Sequence, residues 1–175
     1  GTDDARALTT GSDGAIYIAG ETNGNLDGNI SNGFKDAYIS KYNSDGTKEW
    51  TKLLGTATFD DGLALTTGSD GAIYISGWTR GDLDGQINSG STDAYISRYK
   101  TDGTKDWTRL LGTSSSDFVR ALTTGSDGSI YVGGNTKGNL DGQKNNGGRD
   151  AFISKYNPDG TKEWTKLLGS SSEDY

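Results

Sequence analysis

The chain has 175 residues, a formal net charge of −7, and no histidine, cysteine or methionine. The absence of cysteine excludes disulfides and thiolate metal sites. An acidic balance without a basic stripe excludes nucleic acid as a partner. No apolar run approaches the roughly 20 residues of a membrane-spanning helix, so no membrane insertion is expected. The 28 glycines, with strands rich in Tyr, Ile and Thr, predict an all-β fold with many tight turns.

A 57-residue period runs through almost the whole chain. Residues 7–14 (Ala-Leu-Thr-Thr-Gly-Ser-Asp-Gly) return at 64–71 and again at 121–128. A fixed period in this range is typical of stacked repeats. We therefore predict three units, residues 1–57, residues 58–114, and residues 115–175, the last including the start of a further repeat.

Each repeat carries four strand signals, which in the first repeat lie at residues 5–10, 15–19, 36–42 and 48–54. An Asp-Gly turn joins the first strand to the second and the third to the fourth. Six copies of this pattern predict a type I turn followed by Gly in the left-handed region. Pro158 fits position i+1 of such a turn, because its φ is fixed near the required value.

The predicted strands are apolar on both faces, as with Ile16 and Ile18 on one side and Tyr17 on the other. A sheet with one wet face would alternate apolar with charged residues, so these sheets must be covered on both sides. Small residues in the first strand and charged ones in the fourth favour four-stranded antiparallel β-propeller blades around an axis. A β-solenoid and a sandwich are the alternatives.

The run Asp-Ala-[Tyr/Phe]-Ile-Ser-[Lys/Arg]-Tyr-x-x-Asp-Gly-Thr-x-x-Trp, followed by Leu-Leu-Gly, resembles the bacterial SBBP β-propeller repeat in all three copies. The resemblance implies propeller blades in large, often exported proteins. It brings no catalytic residue with it. Residues 23–35, between the second and third strands, look like an insertion into this pattern.

The long connections between strands are expected at the end of the blades opposite the Asp-Gly turns. The turn geometry explains why the Asp-Gly turns are nearly identical, but no packing requirement explains why the long connections differ in sequence. The end of the blades that carries these connections is therefore the predicted ligand-binding face. The other repeats have polar residues at the position of Trp78. Trp78 is therefore predicted either to stack against a sugar or to fill a gap between two blades. The connections between blades also carry Phe59, Phe118 and Tyr175. The candidate residues of this face are Glu21, Phe34, Trp78, Arg80, Asn135 and Lys137.

A calcium site is a second hypothesis, because Asn23, Asn25 and Asp27 have the spacing of oxygen ligands in calcium loops. The twelfth position is Phe34 instead of Glu, and the later repeats begin this stretch with Arg80 or Lys137. The alternative is a turn whose Asp accepts backbone amides and whose Leu plugs the blade. We expect no other cofactor.

Asp residues open the third strand of each repeat, at Asp36, Asp93 and Asp150, and Asp3, Asp60, Asp117 and Asp174 recur in register before the first strand. An active site is normally unique, so the repeated acids are predicted to accept backbone amides between blades. Without His or Cys no nucleophile-and-base set can be assembled, and an enzyme is not expected.

The favoured function is a non-catalytic interaction or structural scaffold in a secreted or surface bacterial protein, with protein or glycan as partner. A carbohydrate-binding lectin that uses the long-loop face is the first alternative. A calcium-stabilised adhesion module is the second.

Three blades cannot close a ring, since propellers typically need about 4–8. We therefore expect either a part of a longer array or association of copies, with a six-bladed dimer as the specific form.

Overall fold

The computed structural model describes residues 1–171; Asp174 and Tyr175 lie outside them. The first four strands are β1 (Asp3–Thr10), β2 (Ile16–Thr22), β3 (Asp36–Tyr42) and β4 (Lys48–Leu54). They are followed by β5 (Asp60–Thr67), β6 (Ile73–Thr79), β7 (Asp93–Tyr99) and β8 (Lys105–Leu111). The last are β9 (Asp117–Thr124), β10 (Ile130–Thr136), β11 (Asp150–Tyr156) and β12 (Lys162–Leu168). Within residues 1–171 no helix is long and apolar enough to cross a membrane.

The strands form three four-stranded antiparallel sheets in chain order, β1–β4, β5–β8 and β9–β12. This confirms the predicted all-β class of repeated blades; the described sheets do not close into a ring. The third and fourth strands have the predicted bounds. The second runs further than predicted, to Thr22, because Thr22 still pairs with Asp3 and Asp36 on its two sides.

The tight turns have the predicted geometry. Gly14 and Gly46 have φ of 77° and 85°, a region that L side chains rarely adopt. The Gly11 amide donates to the Ala15 carbonyl at 2.9 Å, which closes the first hairpin. The Asp13 carboxylate accepts the Ala15 amide at 3.1 Å, as is usual for Asp in turns.

The insertion-like stretch folds back onto its own blade. Its tip turns at Asp27 and Gly28, with φ of 51° and 80°, and the Asn29 amide donates to the Leu26 carbonyl at 2.9 Å. The Asp27 carboxylate is bonded by Lys48 and Thr51 of the outer strand, not by backbone amides as expected. The predicted Leu plug is confirmed, since the equivalent Leu83 and Leu140 are 1% and 0% exposed.

Two apolar cores lie between adjacent sheets. Tyr17 and Ile39 of the first blade pack against Ile75 and Tyr95 of the second, and the same faces meet between the second and third blades. The outer strand adds a hydrogen bond between blades, which we call the latch. The Trp50 indole Nε1 donates to the Thr101 carbonyl of the next blade at 3.2 Å, and the Trp107 indole donates to the Pro158 carbonyl at 3.1 Å.

The outward faces of the first and third blades are uncovered by any described residue. Leu8 is 68% exposed, whereas its equivalent Leu65 in the middle blade is 8% exposed. Leu168 is 78% exposed, whereas Leu54 and Leu111 are 2% and 4% exposed. These two end faces therefore expose the same positions that form the cores at the inner junctions.

Candidate functional site

The loop end is the end of the blades at which β2, β6 and β10 finish. It consists of loops 23–35, 80–92 and 137–149 and of the connections 55–59 and 112–116 between blades. The frame beneath it is regular, because loops 23–35 and 80–92 are each tied to the strand that begins the next blade. The Asp60 amide donates to the Lys35 carbonyl and the Asp117 amide to the Thr92 carbonyl, both at 2.8 Å. The loop end can therefore hold varied side chains at fixed positions.

Aromatic rings and arginines alternate along the loop end. Phe34 and Phe59 stack with centroids 5.3 Å apart and an interplanar angle of 14°. The Arg80 guanidinium lies 5.3 Å from the Phe59 ring and 5.6 Å from the Trp78 ring, so it joins the two. Phe34 is 70% exposed, and its outer face is open to a ligand.

The same arrangement continues into the third blade. Trp78 meets Phe118 edge-on, with centroids 6.0 Å apart and an angle of 76°. Arg120 and Arg149 lie 5.8 and 5.5 Å from the Phe118 ring. Trp78 is half-buried and contacts the next blade, so it fills the junction as well as facing the loop end. We call this set the aromatic–arginine strip: Phe34, Phe59, Trp78, Arg80, Phe118, Arg120 and Arg149.

Glu21, a predicted ligand-face residue, is buried instead, with 3% exposure. Its Oε1 accepts Lys35 at 2.7 Å and Arg6 at 2.9 Å. Its Oε2 and the Oδ1 of Asp61 in the next blade are buried with no other donor among residues 1–171, so a proton shared between the two carboxyls would satisfy both. Burial alone would raise the pKa of Glu21, but the bonds from Lys35, Asp61 and Arg6 outweigh it and lower that pKa. Burial, followed by the hydrogen bond and charge of Glu21, raises the pKa of Asp61 to about 7. Glu21 is therefore unavailable to a ligand.

Asp61 was missed by the sequence reasoning, although a signal was present. Positions 21 and 78 are equivalent in the repeat, as are 61 and 118. At the first junction the Glu21 carboxyl meets the Asp61 carboxyl of the next blade, and at the second junction the Trp78 ring meets the Phe118 ring of the next blade. In the third blade Asn135 is half-buried and Lys137 is exposed.

The three candidate calcium ligands each have another donor. Asn23 Oδ1 accepts the Thr2 amide at 2.6 Å, Asn25 Oδ1 accepts the Ser31 amide at 3.0 Å, and Asp27 binds the outer strand. Among residues 1–171 no group of three or more His, Cys, Asp or Glu converges to hold a metal ion. The arrangement fits a turn stabilised by its own side chains.

The repeated acids accept backbone amides as predicted, but the amides belong to the segment just before each strand and not to a neighbouring blade. Asp36 accepts the Asn32 amide at 2.8 Å and Asp60 accepts the Thr56 amide at 2.7 Å, each from four residues before it. The Asp150 side chain repeats the contact at 2.9 Å. These carboxylates therefore shape the loops and are 0% exposed.

An open cleft of about 500 Å³ lies at the opposite end, between the tight turns of the first two blades. Its charged groups pair with one another, since Arg98 binds Asp70 at 2.7 Å and also binds Asp106. Lys100 lies 3.5 Å from Asp106. The cations of this cleft are therefore already neutralised.

Comparison with protein families matches residues 11–49, 68–108 and 125–163 to the family described as "Domain of unknown function (DUF5122) beta-propeller". The chain belongs to this family. The family described as "Beta-propeller repeat" (SBBP) matches residues 106–141 of the DUF5122 chain, which confirms the resemblance that the repeat motif indicated.

A curated relative is "Regulatory protein FlaEY" of Caulobacter vibrioides, 31% identical over 190 residues. The match covers 97% of the DUF5122 chain but only 20% of that protein. Among solved structures, rhamnogalacturonan lyase YesW aligns with 16% identity over 94% of this chain and 42% of its own, with a TM-score of 0.30. A likeness that weak says nothing about the function of the DUF5122 chain.

Proposed function

We propose that this chain is a non-catalytic interaction module, a scaffold of propeller blades within a secreted or surface bacterial protein, and that its partner binds at the loop end. The aromatic–arginine strip carries this proposal, because it places rings and cations side by side across all three blades, with Phe34, Phe59, Arg80 and Arg120 exposed. Loops positioned by a rigid frame are the usual location of binding residues. The description of the family names no activity, and the relative from Caulobacter vibrioides is called regulatory.

The acidic groups support a non-catalytic role. The chain has no histidine or cysteine, and the repeated aspartates hold loop amides. The pair Glu21 and Asp61 has the separated pKa values that acid–base catalysts use. Both residues are nearly completely buried, however, at 3% and 6% exposure, and cations already bind Glu21. A substrate has no access to them.

A charge reversal at the loop end tests the proposal. Arg80→Glu places a carboxylate between Phe59 and Trp78, and Lys100→Glu makes the same charge change at the tight-turn end, where Lys100 is 56% exposed. Both variants and the parent chain are applied to peptide and glycan arrays. We expect Arg80→Glu to lose the ligands that the parent binds and Lys100→Glu to keep them. If Lys100→Glu loses the ligands and Arg80→Glu keeps them, binding takes place at the tight-turn end and the proposal is wrong.

A lectin is the second candidate, and the stacked pair Phe34 and Phe59 favours it. The outer face of Phe34 is open, and exposed aromatic rings stack against the apolar faces of sugars. Phe34→Ala should then abolish glycan-array signals while Ile87→Ala, at a residue 79% exposed in the next loop, leaves them unchanged. Glycan binding that survives Phe34→Ala excludes this role for the ring.

The two end faces suit a like blade as partner. The positions that are buried at the inner junctions are exposed there, and patches of this kind are uncommon on soluble monomers. We propose that another blade covers each face, from the same protein or from a second copy of this chain. Two copies joined head to tail at both faces would give the six-bladed ring.

A further inference from the structure

Three of the six arginines in the chain have acceptors for their guanidinium groups. Arg6 binds Glu21 at 2.9 Å, Arg98 binds Asp70 at 2.7 Å, and Arg109 donates to the Gly160 carbonyl at 3.1 Å. These residues show that the fold normally provides an arginine with a carboxylate or a carbonyl.

The other three arginines, Arg80, Arg120 and Arg149, all belong to the aromatic–arginine strip. Each lies over a ring at 5.3 to 5.8 Å, yet none makes a side-chain hydrogen bond or ion pair with residues 1–171. Arg80 and Arg120 are exposed and Arg149 is half-buried. Their ring contacts fix where the guanidinium groups lie, and their N–H donors have no acceptor among residues 1–171.

A guanidinium held in this way is suited to bind a carboxylate. It has five donors in a rigid fork, is weakly hydrated, and loses little further conformational freedom when it forms two parallel hydrogen bonds. The chain as a whole carries a net charge of −7, whereas the strip holds three cations that form no ion pair with the described residues, which makes it locally positive. The complementary ligand is anionic.

The packing of the rings indicates which kind of anion. Phe34 covers one side of the Phe59 ring and Arg80 lies over the same ring, while Phe118 is approached by Arg120, Arg149 and the Trp78 edge. A sugar chain needs several exposed ring faces, whereas in this strip Phe34 is 70% exposed and Trp78 and Phe118 are half-buried. Carboxylates on a peptide need the guanidinium N–H donors, which make no hydrogen bond within the part of the chain that the structure describes.

We propose that the aromatic–arginine strip binds an acidic segment of a protein partner. Asp or Glu carboxylates of the segment accept paired hydrogen bonds from Arg80, Arg120 and Arg149, and its apolar side chains pack on Phe34. Clusters of arginine recognise acidic motifs in other proteins by the same chemistry. This inference rests on the proposed binding role of the loop end and names the class of partner for it.

The probes are two fluorescein-labelled peptides, one alternating Glu with Phe and one in which Gln replaces each Glu. Fluorescence anisotropy measures their binding to the whole chain. We expect the Glu peptide to bind, the Gln peptide to bind at least about tenfold more weakly, and the affinity to fall with added salt. In the triple variant R80Q/R120Q/R149Q the affinity for the Glu peptide should fall by at least about tenfold, because each charge-assisted pair contributes about that much.

The matched control is R109Q/K52Q/K100Q, which removes the same charge away from the strip and should keep the affinity. Circular dichroism and thermal melts establish that both variants fold. Equal loss in the two triple variants would mean a general charge effect, and equal binding of the two peptides would mean apolar contact; either overturns the inference. Arginine-dependent binding of polygalacturonate without the Glu peptide also overturns it, while leaving the loop end as the binding face.

Discussion

The parent chain should become less stable as the pH rises, and the substitution Asp61→Asn should abolish this effect. Asp61 is 6% exposed and shares a hydrogen bond with Glu21, which is 3% exposed. Its pKa is raised by burial and then by Glu21, from 3.8 to about 7. The folded state therefore holds the Asp61 proton more tightly than the unfolded state does. The stabilisation from that proton is complete below about pH 4 and is lost as the pH rises through about 7.

The magnitude follows from the size of the shift. One pH unit corresponds to about 1.4 kcal/mol, so a shift of roughly three units changes the free energy of unfolding by at most about 4 kcal/mol. Glu21 does not interfere above about pH 5, because its pKa is lowered and its contribution is lost only at more acidic pH. Asn has the shape of Asp and donates to Glu21 at every pH.

Urea unfolding at a series of pH values between about 5 and 9 measures the effect. We expect the stability of Asp61→Asn relative to the parent chain to rise by about 2–3 kcal/mol between about pH 5 and pH 7 and to stay constant above that. Asp4→Asn is the control, since Asp4 occupies the equivalent position in the first blade with its side chain 53% exposed. Parallel stability curves for the parent and Asp61→Asn would refute a shared proton between Glu21 and Asp61.

Trp107→Ala should cost about 3–5 kcal/mol in denaturant unfolding, because it removes a large packed ring and its bond to Pro158, whereas Trp164→Ala should cost clearly less; equal costs would contradict the latch. Thermal melts should be the same in excess calcium and in chelator, and a calcium-dependent rise that Asp27→Ala abolishes would contradict the turn. Sedimentation should detect self-association through the end faces, weakened by Leu168→Asp and not by Ile87→Asp, two changes at similarly exposed residues. A monomeric parent chain would refute the six-bladed dimer.

The blades were predictable because strand alternation and Asp-Gly turns are local signals. The hairpin closed by Gly14 needs only five consecutive residues, and six copies repeat it. The outer-strand Trp recurs in every repeat, and Trp50 and Trp107 each bond to the next blade. The first two strands differed in length, because β1 begins at Asp3 and β2 continues to Thr22, and these two residues pair with each other.

The loop end was less predictable because its contacts join distant residues. The residue at the position of Glu21 differs among the repeats, and this variation indicated an exposed ligand contact. Its partner Asp61 is 40 residues away in the next blade, so only three-dimensional packing shows that the two are buried together. The docking of Asp27 on Lys48 carried a better signal. Each repeat keeps an Asp and a Lys at this spacing, as in Asp84 with Lys105.

The outer-strand tryptophans also give the protein a built-in spectroscopic sensor. Trp164 is 36% exposed, and its indole donates to no carbonyl of residues 1–171, unlike the indoles of Trp50 and Trp107. Water around an indole moves its emission to longer wavelengths. Trp164 should therefore emit at longer wavelengths than its two equivalents, and its emission should shift to shorter wavelengths when another blade covers the third sheet. Assembly at that end could then be followed in real time without any added dye.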